Sequence, residues 1–419
     1  MLSMTLMHVA ADDRTGALEV AGMCADVLGR GVLVTVAGGA GTGGQHDLAT
    51  IAGTVVVSDL ATRHLTAEQA AEAAATIDLA GATGFARRAH KMDSTLRGNW
   101  SVELIARQHA SGGRVLLVPA FPAAGRTCAG GVVHVHGVPV GDGAVGVDAR
   151  SAPASSRPAD LLRRAGLRGV VEVRRSASLE AWLGSPPGDG RAATFAVCDA
   201  VDDDDLASIA GSWAAGADDV LFAGTAGSIA AAARALAISR AGHGVGGVDA
   251  VDAGGAHRAA VDAPVLVVCG SLHPIARAQL EALVAAGAHE QIVHPGGDVE
   301  RRPTMTDAMT NDQPTVVLRS PVPDAVPVAD SEAHRAAVAL AASARQAIAS
   351  HGFRTVVVIG GDTAAALLGD APAVVGGTLS VGMPWFRIGQ ADGPLFVTRA
   401  GGFGNAGSLT ELIPERTTR

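Results

Sequence analysis

The 419-residue chain has one lysine, Lys91, against 31 arginines, and it has no tyrosine. Aromatic residues make up 3% of it, so its cores must be built largely from Ala, Val and Leu. Four cysteines, Cys24, Cys128, Cys198 and Cys269, lie far apart with no CxxC pair. They suggest neither a zinc site nor a disulfide framework. The fourteen histidines show no HExxH or other metal spacing, and His134 and His136, alternating on one strand, read as structural. No apolar run approaches the length of a membrane-spanning helix. Met1–Met7 has no basic region, so no signal peptide is expected and the location expected is cytoplasmic. The formal charge, 32 − 41 = −9, argues against a nucleic-acid or anionic-membrane partner. It does not bar an anionic small molecule, for which a local basic pocket is sufficient. GxxxxGK[ST] occurs nowhere, and no short-period repeat is present.

What is present is apolar and glycine-rich: 48% hydrophobic residues, 17% charged and 54 glycines. That composition suits large packed cores, and the length suits two or three domains. Short continuous β-branched runs alternate with alanine-rich helical stretches, the pattern of strands buried on both faces of a parallel sheet. Strands are expected over 5–11, 32–37, 54–58 and 114–118, near Val170, Phe195 and Leu221, and again over 265–269, 291–294, 316–318, 355–359 and 395–398. Thr66 with Gln69 predicts a capping box ahead of a helix, and 132–140 predicts a small β excursion. Residues 242–263, rich in glycine and without periodicity, read as a linker between domains 1–241 and 264–419. The fold class predicted is α/β, two domains with largely parallel sheets.

In such sheets ligands lie beyond the carboxyl ends of strands, so polar clusters at strand exits are the candidate sites. The densest is Lys91-Met92-Asp93-Ser94-Thr95-Leu96-Arg97-Gly98-Asn99. A chain that uses arginine everywhere else has kept a compact ammonium here, which suits a point charge on an anion. The plainer alternative is a helix start capped by Ser94 or Thr95. Asp12-Asp13-Arg14-Thr15-Gly16 places two carboxylates at the first exit, able to bind hydroxyls, hold Mg²⁺ through water or act as a general base. Arg63 can pair bidentately with a substrate carboxylate, and Arg126 lies in the proline- and glycine-rich loop after 114–118. In the second half, Ser271 follows a buried strand. Gly360, Gly361, Asp362 and Thr363 run into a helix start that favours an anion, and Gly402 and Gly404 follow the last strand. The run Gly39–Gly44 fits GxGxxG with Asp59 about 20 residues on. It follows the second strand and leaves too few residues for a crossover helix. It supports only the rival reading, an NAD-dependent oxidoreductase on a hydroxy acid. A non-catalytic ligand-binding or regulatory protein is the other.

Together these stretches resemble the four-carbon acid sugar kinase family along the whole chain. Ala11–Gly16 is similar to its Ala-Asp-Asp-x-Thr-Gly signature. Lys91–Asn99 matches its Lys-x-Asp-Ser-Thr-Leu-Arg-Gly-Asn block. Pro119–Pro122 with Gly125–Thr127 resembles its Pro-Ala-Phe-Pro…Gly-Arg-Thr loop. Gly270-Ser271, Gly360–Thr363 and Gly402–Gly404 then follow in the family's order. The resemblance implies an N-terminal acid-sugar domain and a C-terminal ATP domain, with Mg·ATP as phosphoryl donor to a 4-hydroxyl and a homodimer as the assembly. By carry-over, Ser271, Gly360–Thr363 and Gly404 meet ATP. Asp13, Arg63, Lys91, Asp93 and Ser94 line the acid, with Asp12, Arg14, Arg97 and Arg126 beside them. Arg14 stands where the family is more often apolar, Asp362 where Glu is usual, and Ala400-Gly401-Gly402 where Ser-Gly-Asn is typical. The first of these bears on which acid is accepted. The expected mechanism has Asp93, or failing it Asp13, deprotonating the hydroxyl, Lys91 neutralising the transferring group and Arg63 holding the carboxylate.

Lys91→Arg is expected to fold and to lose most turnover, read as kcat on the acid that proves to be the substrate. Near-normal kcat would remove Lys91 from the chemistry.

Overall fold

The computed structural model describes residues 5–37, 55–79, 85–143, 152–185, 193–216, 218–242, 259–301, 314–322, 328–388 and 393–413. The chain divides into two compact units, Met1–Ala256 with Val375–Gly377, and His257–Val374 with Thr378–Arg419. Two stretches singled out from the sequence, Gly39–Gly44 and most of the linker (243–258), lie outside the described residues.

The first unit opens with β1 (Thr5–Ala11), α1 (Arg14–Leu28), β2 (Val32–Val36), β3 (Val55–Asp59), α2 (Ala67–Leu79), β4 (Phe85–Lys91), α3 (Trp100–Ser111) and β5 (Arg114–Val118). A small antiparallel sheet follows, β6 (Arg126–Ala129), β7 (Val132–Val135) and β8 (Val138–Pro139). Then come α4 (Pro158–Arg164), β9 (Val170–Val173), α5 (Ser176–Leu183), β10 (Phe195–Cys198), α6 (Asp203–Ala215), β11 (Val220–Gly224) and α7 (Ala226–Gly242). Eight strands form the main sheet in the order β2-β3-β1-β4-β11-β5-β10-β9. Every pairing is parallel. The inner strands β5, β10 and β11 are buried throughout, which is why they read as continuous apolar runs, while the edge strand β9 keeps an exposed side. The capping box forms, with Thr66 N donating to Gln69 Oε1 at 3.2 Å and Gln69 N to Thr66 Oγ1 at 3.3 Å.

Helix α3 buries Trp100, Glu103, Leu104 and Arg107, one stripe at helical spacing. Two of the four are charged, and each has a partner. Glu103 meets His90 Nε2 at 3.1 Å. Arg107 pairs bidentately with Asp78 at 2.8 and 3.0 Å and donates to the Ala89 carbonyl. These contacts pin α3 behind the end of β4.

The second unit comprises β12 (Val265–Cys269), α8 (Pro274–Ala285), β13 (His289–Val293), β14 (Val299–Arg301), β15 (Thr315–Arg319), α9 (Asp330–His351), β16 (Thr355–Ile359), α10 (Gly361–Leu368), β17 (Ala373–Ser380, apart from Val375–Gly377), β18 (Met383–Ile388), β19 (Leu395–Arg399) and α11 (Ser408–Leu412). Its strands run β14-β13-β15-β12-β16-β19-β18-β17. The central pairings are parallel, while β14 and β18 pair antiparallel at either side. Strands β14, β17 and β18 were not expected from the sequence. They are hairpin arms rather than βα repeats, and 373–380 carries two glycines that weaken its strand pattern. The core is Val, Ala and Leu, as the scarcity of aromatics required. All four cysteines are buried and free, and burial pushes Cys24 and Cys198 up to about 12.

Candidate active site

Register puts the polar motifs of the first unit together. Ala11 lies level with Asp59 and with Lys91, Lys91 with Gly224, and Gly224 with Val118. Parallel strands in one register release their chains along one edge, with neighbours about 4.8 Å apart. The segments 12–16, 60–63, 92–99 and 119–127 therefore leave the sheet side by side. Backbone bonds fix their spacing. Leu60 N donates to Ala11 O at 2.8 Å, and Thr62 N and Arg63 N donate to Asp12 O at 2.9 and 3.1 Å. Asn99 Nδ2 donates to the carbonyls of Thr62 and Leu65, both at 3.0 Å.

Arg63 is the hub. Its Nε and Nη2 donate to Asp12 Oδ2 at 2.9 and 2.7 Å, and its Nη1 donates to Asp13 Oδ2 at 2.5 Å. Asp93 Oδ2 stands 3.9 Å away. The guanidinium expected to hold a substrate carboxylate is thus already engaged by carboxylates of the chain. Asp12 is fully buried with Oδ1 lacking an acceptor's partner among the described residues. Burial, against the pull of Arg63, raises its pKa to about 6. Asp13 is the N-cap of α1, accepting from Gly16 N at 2.7 Å.

Asp93 departs from the role expected of it. Oδ1 accepts from Thr95 N and Oγ1 at 2.8 and 2.6 Å, and Oδ2 accepts from Arg97 Nε and Nη2 at 2.9 and 2.7 Å. Burial works against its charge, but Arg97, Arg63 and these donors hold its carboxyl well below the usual range. A carboxylate so stabilised is a weak base; it is the post around which the block folds. The turn it organises carries Leu96 at φ +66°, outside the usual range for a side chain of this kind. Trp100 Nε1 holds that turn by donating to Leu96 O at 3.1 Å. Neither Ser94 nor Thr95 caps a helix, because α3 starts at Trp100 after Asn99.

Lys91 ends β4 with its side chain 4% exposed, and Nζ is 3.7 Å from Glu19 Oε2. A Cβ at Gly16 would come within 2.6 Å of Asp13 Oδ1 and 2.9 Å of Lys91 Nζ. Gly16 is therefore what lets α1 sit against both groups, and an arginine at 91 would meet the same crowding. Glu19 was missed in the sequence. It lies three residues after Gly16, on the same helical face, where the one lysine needs a counter-charge. Burial raises its pKa, opposed by Lys91. Arg126 joins the cluster electrostatically, its pKa lowered by burial and raised by Glu19 and Asp93. Ser94 is half-buried beside them. Arg14 is buried, and its charge is felt at Asp59, whose pKa burial raises to about 7. A cavity of about 280 Å³ lies by Leu96, Arg97, Gly98 and Trp100, reaching Arg97 alone of the expected residues.

In the second unit the same logic applies. Cys269 is level with Ile359, and Ile359 with Arg399, so 270–273, 360–363 and 400–405 emerge together. The glycines keep these segments close. A Cβ at Gly360 (φ +112°) would meet Ser271 N at 3.3 Å, one at Gly270 would strike Thr363 Oγ1, and one at Gly401 would strike Ser271 Oγ. Gly360 is the N-cap of α10 and offers no side chain, so the first-turn N–H groups have no side-chain cap. Asp362 and Thr363 lie in that first turn, and Gly402 packs beside the His273 ring. A Gly-lined turn and an uncapped helix start fit a nucleotide's phosphates.

Residues 7–232 match a family model described as a sugar-binding N-terminal domain, and residues 266–409 one described as a nucleotide-binding C-terminal domain. The chain belongs to the four-carbon acid sugar kinase family. Among curated members, a D-threonate kinase of Bordetella bronchiseptica is 30% identical over 85% of this chain and 86% of its own. A 3-oxo-tetronate kinase of Methylobacterium radiotolerans is 28% identical over 75% and 76%. A solved structure from Salmonella typhimurium LT2 shares the fold, with TM-score 0.71 at 20% identity over 96% of this chain and 97% of that one. These named relatives support a sugar-acid kinase. No helix among the described residues is long and apolar enough to cross a membrane.

Two predictions concern this kinase-family site. Asp93→Asn keeps an acceptor for Thr95 but sets an amide against Arg97, and because Arg97 keeps access to water it is expected to cost about 1.5–3 kcal/mol in urea unfolding. Unchanged stability would return Asp93 to the list of candidate bases. Asp59 titrates near 7 in the fold against 3.8 ordinarily, so the folded chain keeps a proton that the unfolded chain releases. Its contribution is full below about pH 4 and is lost as pH rises through about 7. Asp59→Asn should therefore stabilise the protein at pH 8, by up to about 4 kcal/mol, and do little at pH 4.5. Equal effects at the two pH values would contradict this.

Proposed function

We propose that this chain is an ATP-dependent kinase that phosphorylates the 4-hydroxyl of a four-carbon acid sugar: threonate, erythronate or a 3-oxo-tetronate. The observation that carries the reading is the cation–carboxylate cluster gathered at level strand exits of the first unit, in a chain whose named relatives are kinases of such acids. In this reading residues 1–241 bind the acid, 264–419 bind the nucleotide and 242–263 join them.

Phosphoryl transfer is chiefly positioning and charge neutralisation. Lys91 supplies the compact charge, held in place by Glu19 and by contact with Gly16. Asp13 takes the hydroxyl proton. It is more exposed than Asp12 or Asp93, and its bond to Arg63 can be exchanged for one to substrate. Arg63 keeps the acidic pair oriented, and Asp12 stands behind it. Arg97, with its side chain 36% exposed, uses Nε and Nη2 on Asp93 and turns Nη1 to the acid's carboxylate, alongside Arg126 and Ser94. In the second unit Ser271, Gly360, Gly361, Asp362, Thr363, Gly402 and Gly404 would hold ATP, which supplies the γ-phosphoryl group. No group of three or more His, Cys, Asp or Glu among the described residues forms a metal cage. Mg²⁺ would be carried mainly by the ATP phosphates and by waters.

The test is ADP release with Mg·ATP against D-threonate, L-threonate, D-erythronate, L-erythronate and the 3-oxo-tetronates. Turnover with one acid, and phosphate found at its C4, is the expected result. Absence of turnover with every acid, in a protein that binds no ATP, would overturn the reading.

A further inference from the structure

Arg399 ends β19, level with Ile359, and is 2% exposed, among the largest fully buried side chains. A guanidinium carries five N–H donors and no acceptor, and burial of such a group ordinarily comes with a carboxylate or a set of carbonyls. Arg107 and Arg114 show the ordinary case. Arg107 has Asp78 and the Ala89 carbonyl, and Arg114 has Asp219 with the carbonyls of Trp182, Leu183 and Ser185. Arg399 has no such set. Its Nε and Nη1 are sealed from solvent and lack an acceptor among the described residues. Burial alone lowers its pKa, with no neighbouring charge contributing.

The third nitrogen lies at the turn that follows the strand. A Cβ at Gly404 (φ +76°) would collide with Arg399 Nη2 and with Ser408 Oγ. Position 404, next to the guanidinium, is therefore left without a side chain, and the turn is firmly held. Gln279 Nε2 donates to the carbonyls of Phe403 and Asn405 at 3.1 and 2.6 Å, and Asn405 N donates to Ser408 Oγ at 2.9 Å. The same turn meets the exit of β12 where Gly401 packs on Ser271 and His273. A cation without its anion thus stands at the edge of the three exits that sequence and geometry both mark.

We propose that Arg399 is the phosphate-binding cation of the second unit, receiving phosphoryl oxygens of a nucleoside di- or triphosphate beneath the Gly401–Gly404 turn. This rests on reading that unit as the nucleotide site. A bound phosphate supplies the acceptors that the fold withholds, and its charge offsets the desolvated guanidinium. In the ligand-free protein the same charge is a cost, so its removal should not weaken the fold.

Isothermal titration of the full chain with ADP, pyrophosphate and adenosine, for wild type, Arg399→Met and Arg399→Lys, tests this. Arg399→Met should weaken ADP and pyrophosphate about ten- to a hundredfold. It should leave adenosine unchanged and melt, without ligand, no lower than wild type. Arg399→Lys should recover part of the loss. A variant whose ratio of ADP to adenosine affinity equals that of wild type overturns the proposal, as does a lower melting temperature with uniform loss for all three ligands. ADP bound equally by wild type and Arg399→Met leaves the nucleotide reading standing and removes Arg399 from it. Pyrophosphate bound through Arg399, with no adenine compound bound, does the reverse. Wild type binding none of the three overturns both.

Discussion

Two carboxylates at the end of one buried strand must be neutralised, and Arg63 is what neutralises them. Asp12 has no exposed surface, and an ionised carboxylate taken out of water costs several kcal/mol unless it is paired and hydrogen-bonded. Arg63 reaches it from the next strand exit, and Asp12's own carbonyl receives the N–H groups of Thr62 and Arg63. One residue thus ties two loops together through both backbone and side chain. The remaining acids are arranged around that tie. Asp13 takes the third donor and caps α1, while Asp93 takes Arg97 and folds the 92–99 turn.

The cluster is therefore more than a set of groups awaiting substrate. Most of its donors and acceptors satisfy one another, and three departures follow from that. Arg63 is spent on the chain's own carboxylates rather than kept for a ligand's. Asp93 is held well below the usual carboxylate range by Arg97 and Arg63. Lys91 has a counter-ion, Glu19, that crosses from α1. What stays open is Asp13's exchangeable bond and the outer edge of Arg97. A site preassembled in this way keeps its charges oriented before any ligand arrives, which is what electrostatic catalysis needs.

The second unit solves the opposite problem. Its exits carry glycines and hydroxyls rather than a charge network, and the small residues let three segments approach one another closely. Backbone donors at the start of α10 and one buried guanidinium provide positive character, with Asp362 the carboxylate of that first turn. A polyanion suits that chemistry, just as a hydroxylated carboxylate suits the mixed cluster of the first unit.

Much of this was legible in the residues. Continuous apolar runs told of parallel strands, because only strands covered on both faces can dispense with alternation. The polar blocks at 12–16, 91–99, 270–271 and 360–363 marked exits, because they interrupt those runs abruptly. The lone lysine singled out its own block. What the sequence by itself determined, then, was the class of fold, the family and the stretches that bear chemistry. Which partner each charge takes was decided only in three dimensions. Asp12 and Arg63 are 51 positions apart, and register alone sets them 2.7 Å from one another. Glu19 and Arg399 went unnoticed for the same reason. Nothing local distinguishes a glutamate on a helix or an arginine ending a strand. Only packing shows that one meets the single lysine and that the other is buried with Nε and Nη1 lacking an acceptor among the described residues.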